Sequence, residues 1–286
     1  MLWIFPGQPL KPEPTVPDDD DFYDVNRLCR ERCTFDLSHH LPLSGCKLSN
    51  HTCLQIYGVA MSLYRARRLR KTGITPDLIA EHSLGIYAAL VAAGCLGEGD
   101  VLELVCRVGG AMAAAFTKRE YALGCAIGLP VELLESVARN NRVFAANYNT
   151  SRHFLLAGEK SEIEAALVEC QAAGAFSVSS FSCEAPLHTP LLAELSAKLR
   201  QIVAGYRFRE PLVPLVEHIN QTRLTAATIP AFLVDQLLQP VHWEQTWKHL
   251  RATGFNRCIE VGSGQMLTKF NRWIDSEGNL LTSCCQ

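Results

Sequence analysis

Ser83 is the residue of this sequence best placed for covalent chemistry. It stands in His82-Ser83-Leu84-Gly85, just after the apolar run Pro76-Asp77-Leu78-Ile79-Ala80 and just before the helix-forming run Ile86 to Ala93. Strand, tight turn and helix in that order fit four positions of the G-x-S-x-G pattern, in which a strained turn lifts a serine clear of a sheet. Glu81 takes the first position in place of glycine. Gly85 lets the helix pack close to the strand, and the Leu84 N–H points where an oxyanion would form, at the positive end of that helix. A serine that only caps a helix shows the same local pattern. A serine hydroxyl needs a base within hydrogen-bond reach, and of the nine histidines His188 is the best placed. It lies in Glu184-Ala185-Pro186-Leu187-His188-Thr189-Pro190, a double-proline turn before a helix, the kind of rigid loop that carries functional side chains.

The elements that must position these two residues are legible from periodicity. Leu2 to Phe5 reads as a short buried strand ended by Pro6-Gly7, and the acidic, proline-rich stretch Pro9 to Asp21 as an exposed loop. A helix runs from about Cys53 to Lys71, with Arg65, Arg67, Arg68, Arg70 and Lys71 crowding its negative end before Gly73. A second runs from Asp100, an acidic cap, to about Phe116. From about Tyr121 to Cys183, short strands and helices alternate as β-α-β-β-α-β, the signature of a ferredoxin-like unit. Longer helices then return with two buried strands, Val213 to Ile219 and Arg257 to Val261. The expected architecture is α/β: a large domain with a parallel sheet (1–117 and 184–286), interrupted by a small ferredoxin-like α+β domain (118–183).

Composition narrows the function classes. The 286 residues, 48% hydrophobic and 20% charged, are enough to bury a globular core. The net charge of −2 gives no electrostatic reason to expect nucleic acid. The opening Met1-Leu2-Trp3-Ile4-Phe5 has no basic flank and is interrupted at Pro6-Gly7, so neither a signal peptide nor a membrane span is expected, and the location expected is cytoplasmic. The twelve cysteines are scattered through apolar segments, as small buried hydrophobes are, and disulfides are not expected. Cys29, Cys33, Cys46 and Cys53, with His39, His40 and His51 among them, lack paired C-x-x-C spacing, so no metal is expected.

Six segments in order then resemble one family. Phe5-Pro6-Gly7-Gln8 resembles an amino-terminal FPGQ, and His82 to Gly85 with Tyr87-Ala88-Ala89-Leu90 resembles GHSLGEYAAL. Asn147-Tyr148-Asn149 to Leu156-Ala157-Gly158 resembles an asparagine strand ending in a glycine, and Pro186 to Leu192 a histidine loop. Gln236-Leu237 to Pro240-Val241-His242-Trp243 resembles QL-x-x-PV-x-W, and Glu260 to Gly264 resembles EVGPG. Together they resemble the malonyl-CoA:acyl-carrier-protein transacylases and the acyltransferase domains of fatty acid and polyketide synthases. The resemblance implies a hydrolase-like large domain and a ping-pong transfer. Ser83 would attack an acyl thioester of coenzyme A or a carrier protein, with His188 as base. The backbone N–H groups of Gln8 and Leu84 would form the oxyanion hole, and the Gln236 carbonyl would orient His188. The phosphopantetheine thiol of an acyl carrier protein would collect the acyl group. No cofactor is implied, and a free-standing monomer is expected.

Departures from the family pattern bear on the acyl group. Val108 occupies the position where malonyl-specific members carry an arginine for the free carboxylate, and Arg107 is one residue, about 100°, away on a helix. Glu81 brings a carboxylate near the nucleophile unless it turns to solvent, where acidic residues mostly lie. Cys53 stands where the family has an active-site glutamine, and Pro9 where it usually has glycine. With Asn147, these residues mark an acyl pocket expected to accept a neutral acyl group: acetyl, longer fatty acyl, aromatic acyl or a polyketide intermediate. Two other functions fit the same residues, a thioester hydrolase that clears acyl groups from carriers, and a non-catalytic carrier-binding module. The cations from Arg65 to Lys71 and Arg119, Arg139, Arg142 and Arg152 are candidates for carrier docking, the former equally explained as a solvated helix end.

Overall fold

The computed structural model describes residues 1–283. The chain begins with β1 (Leu2–Phe5), α1 (Asp20–Cys33), a hairpin of β2 (Phe35–Asp36) and β3 (Leu41–Pro42), and α2 (Asn50–Lys71). The strand-turn-helix follows as β4 (Leu78–Glu81) and α3 (Gly85–Ala92), and then α4 (Glu98–Ala115). Next come β5 (Tyr121–Ile127), α5 (Val131–Asn140), β6 (Phe144–Thr150), β7 (His153–Glu159), α6 (Lys160–Ala172) and β8 (Ser177–Cys183). The last third holds a 3-10 turn (Pro190–Leu195), α7 (Ser196–Val203), β9 (Leu215–Val216), α8 (Ile229–Leu238), α9 (Trp243–Ala252), β10 (Cys258–Glu260) and α10 (Met266–Ser283).

Two four-stranded sheets carry the fold. The first is parallel, in the order β10-β1-β4-β9. Helices cover both its faces, so its strands are near-continuous apolar runs instead of alternating ones; all four residues of β1 are buried. One face packs in the larger core with Trp3, Phe5 and Ile79, the other with Leu2, Ile4, Ala80 and Trp243. The second sheet is antiparallel, in the order β6-β7-β5-β8, with α5 and α6 closing a separate core around Phe154, Leu156 and Ile163. That strand order and its two helices are ferredoxin-like, and the whole is a mixed α/β fold.

Several boundaries differ from the sequence reading for local reasons. α1 begins inside the supposed loop because Asp19 caps it, its carboxylate accepting the Phe22 N–H at 3.1 Å. α2 starts three residues before Cys53 because the Ser49 hydroxyl accepts the Thr52 N–H at 3.1 Å. α4 is capped at Gly97, which leaves Asp100 in its first turn, not at its cap. β9 is two residues long, because past Val216 the Glu217 carboxylate takes the N–H groups of Ile219, Asn220 and Thr222 and turns the chain. Among the described residues, no helix is long and apolar enough to cross a membrane.

Candidate active site

The turn after β4 places Ser83 at the carboxyl end of the parallel sheet, where open α/β sheets bind ligands. Its backbone is left-handed, φ 55°, a conformation costing about 1–2 kcal/mol in a residue with a Cβ, so the surroundings must enforce it. Gly85 does so from below. A Cβ there would lie 2.2 Å from the Phe5 carbonyl oxygen, the same oxygen that accepts the His82 N–H at 2.9 Å. Only glycine allows α3 to begin this close to β1.

His188 reaches Ser83 from the opposite side of the chain sequence. Its own backbone is left-handed, φ 60°, and is pinned by its N–H donating to Leu237 O at 2.8 Å. Ser83 Oγ lies 2.7 Å from His188 Nε2. His188 Nδ1 faces two carbonyl oxygens, Gln236 at 2.7 Å and Gln239 at 3.2 Å. Carbonyls only accept, so the ring proton sits on Nδ1 and leaves Nε2 free to take the serine proton. Burial, with His218 near by, pushes the His188 pKa down to about 3, which keeps the imidazole in its basic form.

The backbone N–H groups of Gln8 and Leu84 donate to no protein acceptor among the described residues. Both residues line, with Ser83, a cavity of about 30 Å³ behind the serine. Val108 and Gln236 line it too. No charged side chain does. Arg107 points elsewhere: its guanidinium donates to the Tyr206 hydroxyl at 3.3 Å and is half exposed.

A second cavity, about 200 Å³, opens on the other side of Ser83 between the two sheets. Asn147, Asn149 and Phe181 of the antiparallel sheet face His82, His188 and Phe270 across it. His82 Nε2 donates to Asn149 Oδ1 at 3.0 Å, a bond joining the turn to β6; burial lowers the His82 pKa to about 4. Past His153 and Phe270, the cleft continues into a cavity of about 460 Å³ that Arg152, Lys269 and Trp273 also line.

Three expected acyl-pocket positions lie elsewhere than the cavity behind Ser83: Asn147 lines the cleft between the sheets, and Glu81 and Cys53 line neither space. Glu81 is fully buried and faces neither substrate nor solvent: one carboxyl oxygen lies 2.7 Å from His218 Nδ1 and accepts the His218 N–H at 3.2 Å. Burial, with Glu217 near by, raises its pKa well above the ordinary carboxylate range, while burial lowers that of His218 to about 4. Both shifts favour the uncharged forms of the pair, and the Glu81 carboxyl is turned to His218 and lines neither cavity beside Ser83. Cys53 is buried on α2 and does not line the cavity; Gln55, two residues on, does. His218 and Gln55 escaped the sequence reading. The only signal for Gln55 was a carboxamide between Leu54 and Ile56 in an apolar helix.

The arginine-rich end of α2 is paired internally. Arg65 binds Glu13 at 2.7 Å, Arg67 binds Glu98, Arg68 meets Asp19 at 3.4 Å and Lys71 meets Asp21 at 2.7 Å. These contacts tie α2 to the loop and to α1.

A parallel sheet with a serine turn at its carboxyl edge, joined to a small antiparallel sheet across a cleft, defines the class: a mixed α/β protein with a serine–histidine pair beside the cleft. Over residues 31–272 the sequence matches the acyl transferase domain, and the chain belongs to that family of enzymes. It is 31% identical over 220 residues to the malonyl CoA-acyl carrier protein transacylase of Escherichia coli (strain K12), covering 75% of this chain and 71% of that one. The structure of the corresponding transacylase from Coxiella burnetii superposes with a TM-score of 0.88 at 25% identity, over 96% of this chain and 90% of that one. A malonyl-transacylase solved in complex with its type II PKS acyl-carrier protein superposes with a TM-score of 0.86 at 29% identity, over 96% and 92%.

Proposed function

We propose that this acyltransferase moves an uncharged acyl group from an acyl thioester of coenzyme A or a carrier protein to an acyl carrier protein, through an ester on Ser83. The observation that carries the reading is the 2.7 Å contact between Ser83 Oγ and the basic nitrogen of His188. Oγ attacks the thioester carbon as its proton passes to His188 Nε2. The Gln8 and Leu84 N–H groups hold the developing oxyanion. The C–S bond then breaks, and the departing sulfur takes the proton from Nε2. The thiol of the acceptor's phosphopantetheine arm runs the steps in reverse. The carbonyls of Gln236 and Gln239 do for His188 what a carboxylate does in other serine enzymes: they fix the tautomer and the ring plane.

The division of space supports the assignment of substrate parts. The small cavity behind Ser83 takes the acyl chain, and the larger cleft between the sheets takes the pantetheine arm, with Arg152 and Lys269 at its outer end for a phosphate. Val108 and the outward course of Arg107 support an uncharged acyl chain. A free carboxylate in that cavity would be buried without a counter-charge, at a cost of several kcal/mol.

The test is intact-mass measurement of the protein and of Ser83→Ala after exposure to malonyl, acetyl, propionyl and butyryl thioesters. Neutral acyl adducts on the wild type alone are expected, passed on when a holo acyl carrier protein is added. Malonyl loading as fast as any neutral acyl rejects the specificity. Free acid released at one rate with and without acceptor replaces transfer by hydrolysis.

A further inference from the structure

We propose that Glu81 and His218 form a positioning pair that holds the His188 ring in line with Ser83, an inference that rests on acyl transfer through that serine. Neither residue lines the cavity behind Ser83 or the cleft between the sheets, so the pair does not hold substrate. Both side chains are fully buried. Glu81 Oε2 and His218 Nε2 have no hydrogen-bond partner among the described residues, and a buried polar pair satisfied on one side only is less stable than apolar side chains of the same volume. Stability alone therefore does not account for it.

The place of the pair in the fold does. Glu81 is the last residue of β4, two positions before Ser83. β9 runs parallel beside β4, with Ala80 opposite Val216, which brings His218, two positions past the end of β9, to the Glu81 carboxyl. His218 Nδ1 lies 2.7 Å from Glu81 Oε1, and the His218 backbone N–H donates to the same oxygen at 3.2 Å. One oxygen thus fixes both the backbone of residue 218 and the rotation of its ring. That ring packs against the His188 ring, with centroids 6.0 Å apart and planes at 82°, and against Phe232 of α8, at 5.6 Å and 68°.

α8 also supplies the Gln236 carbonyl oxygen that accepts from His188 Nδ1, and Ser83 holds Nε2. Hydrogen bonds at these two nitrogens point in nearly opposite directions, so they leave the imidazole free to rock about the line joining them. A ring packed against it at a right angle takes up that freedom, provided it cannot turn itself. Glu81 supplies that condition. The carboxyl at position 81 thereby acts on the base through His218, from the same strand end that carries the nucleophile.

The experiment is rapid-quench intact mass of Ser83 acylation over a range of thioester concentrations. The probe is whichever of the malonyl, acetyl, propionyl and butyryl thioesters of coenzyme A loads the wild type fastest. The proteins are the wild type, Glu81→Met, His218→Met, the double variant and Glu81→Gln; methionine fills either space with an adaptable apolar chain. The amplitude counts the protein that is folded and competent, while the limiting rate constant reports the alignment of hydroxyl and base within it. In each methionine variant the limiting rate constant should fall at least about tenfold, and the half-saturating concentration should stay within about twofold. The double variant should lose no more than either single one, because the two residues act as a unit. Glu81→Gln offers His218 both an acceptor and a donor and should stay within about threefold of the wild-type rate constant.

Unchanged rate constants, with only the amplitude or the melting temperature reduced, overturn the proposal. So do losses that multiply in the double variant, losses confined to the half-saturating concentration, or a Glu81→Gln as slow as Glu81→Met. The double variant leaves neither partner buried alone and is the least exposed to misfolding; where a single variant does not fold, its rate constant decides. Any of these results with a wild-type adduct leaves acyl transfer standing. Absence of every adduct on the wild type sinks acyl transfer itself, and this inference with it.

Discussion

Lowering the pH from about 7.5 to about 5 separates a buried base from an ordinary one. A histidine with the usual pKa near 6.5 keeps roughly 3% of its neutral form at about pH 5. His188, held down to about 3 by burial and by the neighbouring His218, keeps roughly 99%. Acylation of Ser83 by an uncharged thioester should therefore slow by less than about twofold, against roughly 30-fold for an ordinary base. Rapid-quench intact mass measures it, with circular dichroism at each pH to hold the comparison to folded protein. That control matters because acid works against the fold. Below about pH 6.5 the unfolded chain protonates its histidines while His82 and His188 stay neutral until about 4 and about 3. Stability is thus full above about 6.5 and falls by roughly 1.4 kcal/mol per pH unit for each group as pH drops through that window. A rate that titrates with a midpoint between about pH 6 and 7, in protein still folded, would refute the account of His188 as a dehydrated base.

Two further perturbations probe the frame around the site. Gly85→Ala puts a methyl group 2.2 Å from the Phe5 carbonyl oxygen and should cost about 3 kcal/mol or more, read as a fall of roughly 5–10 °C in Tm with loss of Ser83 acylation; an unchanged melt would show that α3 can move away from β1. Glu81→Gln removes a carboxyl whose raised pKa makes its contribution full below about pH 4.5 and progressively lost as pH rises. Urea unfolding should show the variant gaining on the wild type from about pH 5 to about pH 8, whereas a difference independent of pH contradicts the protonated Glu81.

What could be read from the sequence was what short range decides. The apolar run Leu2 to Phe5, the turn at residues 82–85 and the alternating elements between Tyr121 and Cys183 each declare themselves within a few residues, because periodicity and turn chemistry are local. The α1 cap at Asp19 was obscured by the acidic, proline-rich stretch before it. The contacts that give the site its character are long-range: Glu81 meets His218 across 137 positions, and Gln55 meets Gly109 on another helix. No window along the chain holds both partners. Glu81 is intelligible only beside His218, since a lone acid at the end of a buried strand reads as an anomaly, and Gln55 was overlooked beside Cys53 because helical rotation, not proximity in sequence, decides which side chain reaches the cavity.

The hydrogen bond from His82 to Asn149 gears the two halves of the molecule to one another. The residue beside the nucleophile is fastened to the far wall of the cleft, and β6 is also bonded to the chain leading into α9, the Tyr148 N–H donating to Val241 O at 2.8 Å. An outward displacement of the small sheet would therefore load the same linkage that holds the turn of Ser83, so the width of the cleft and the placement of the serine are mechanically joined.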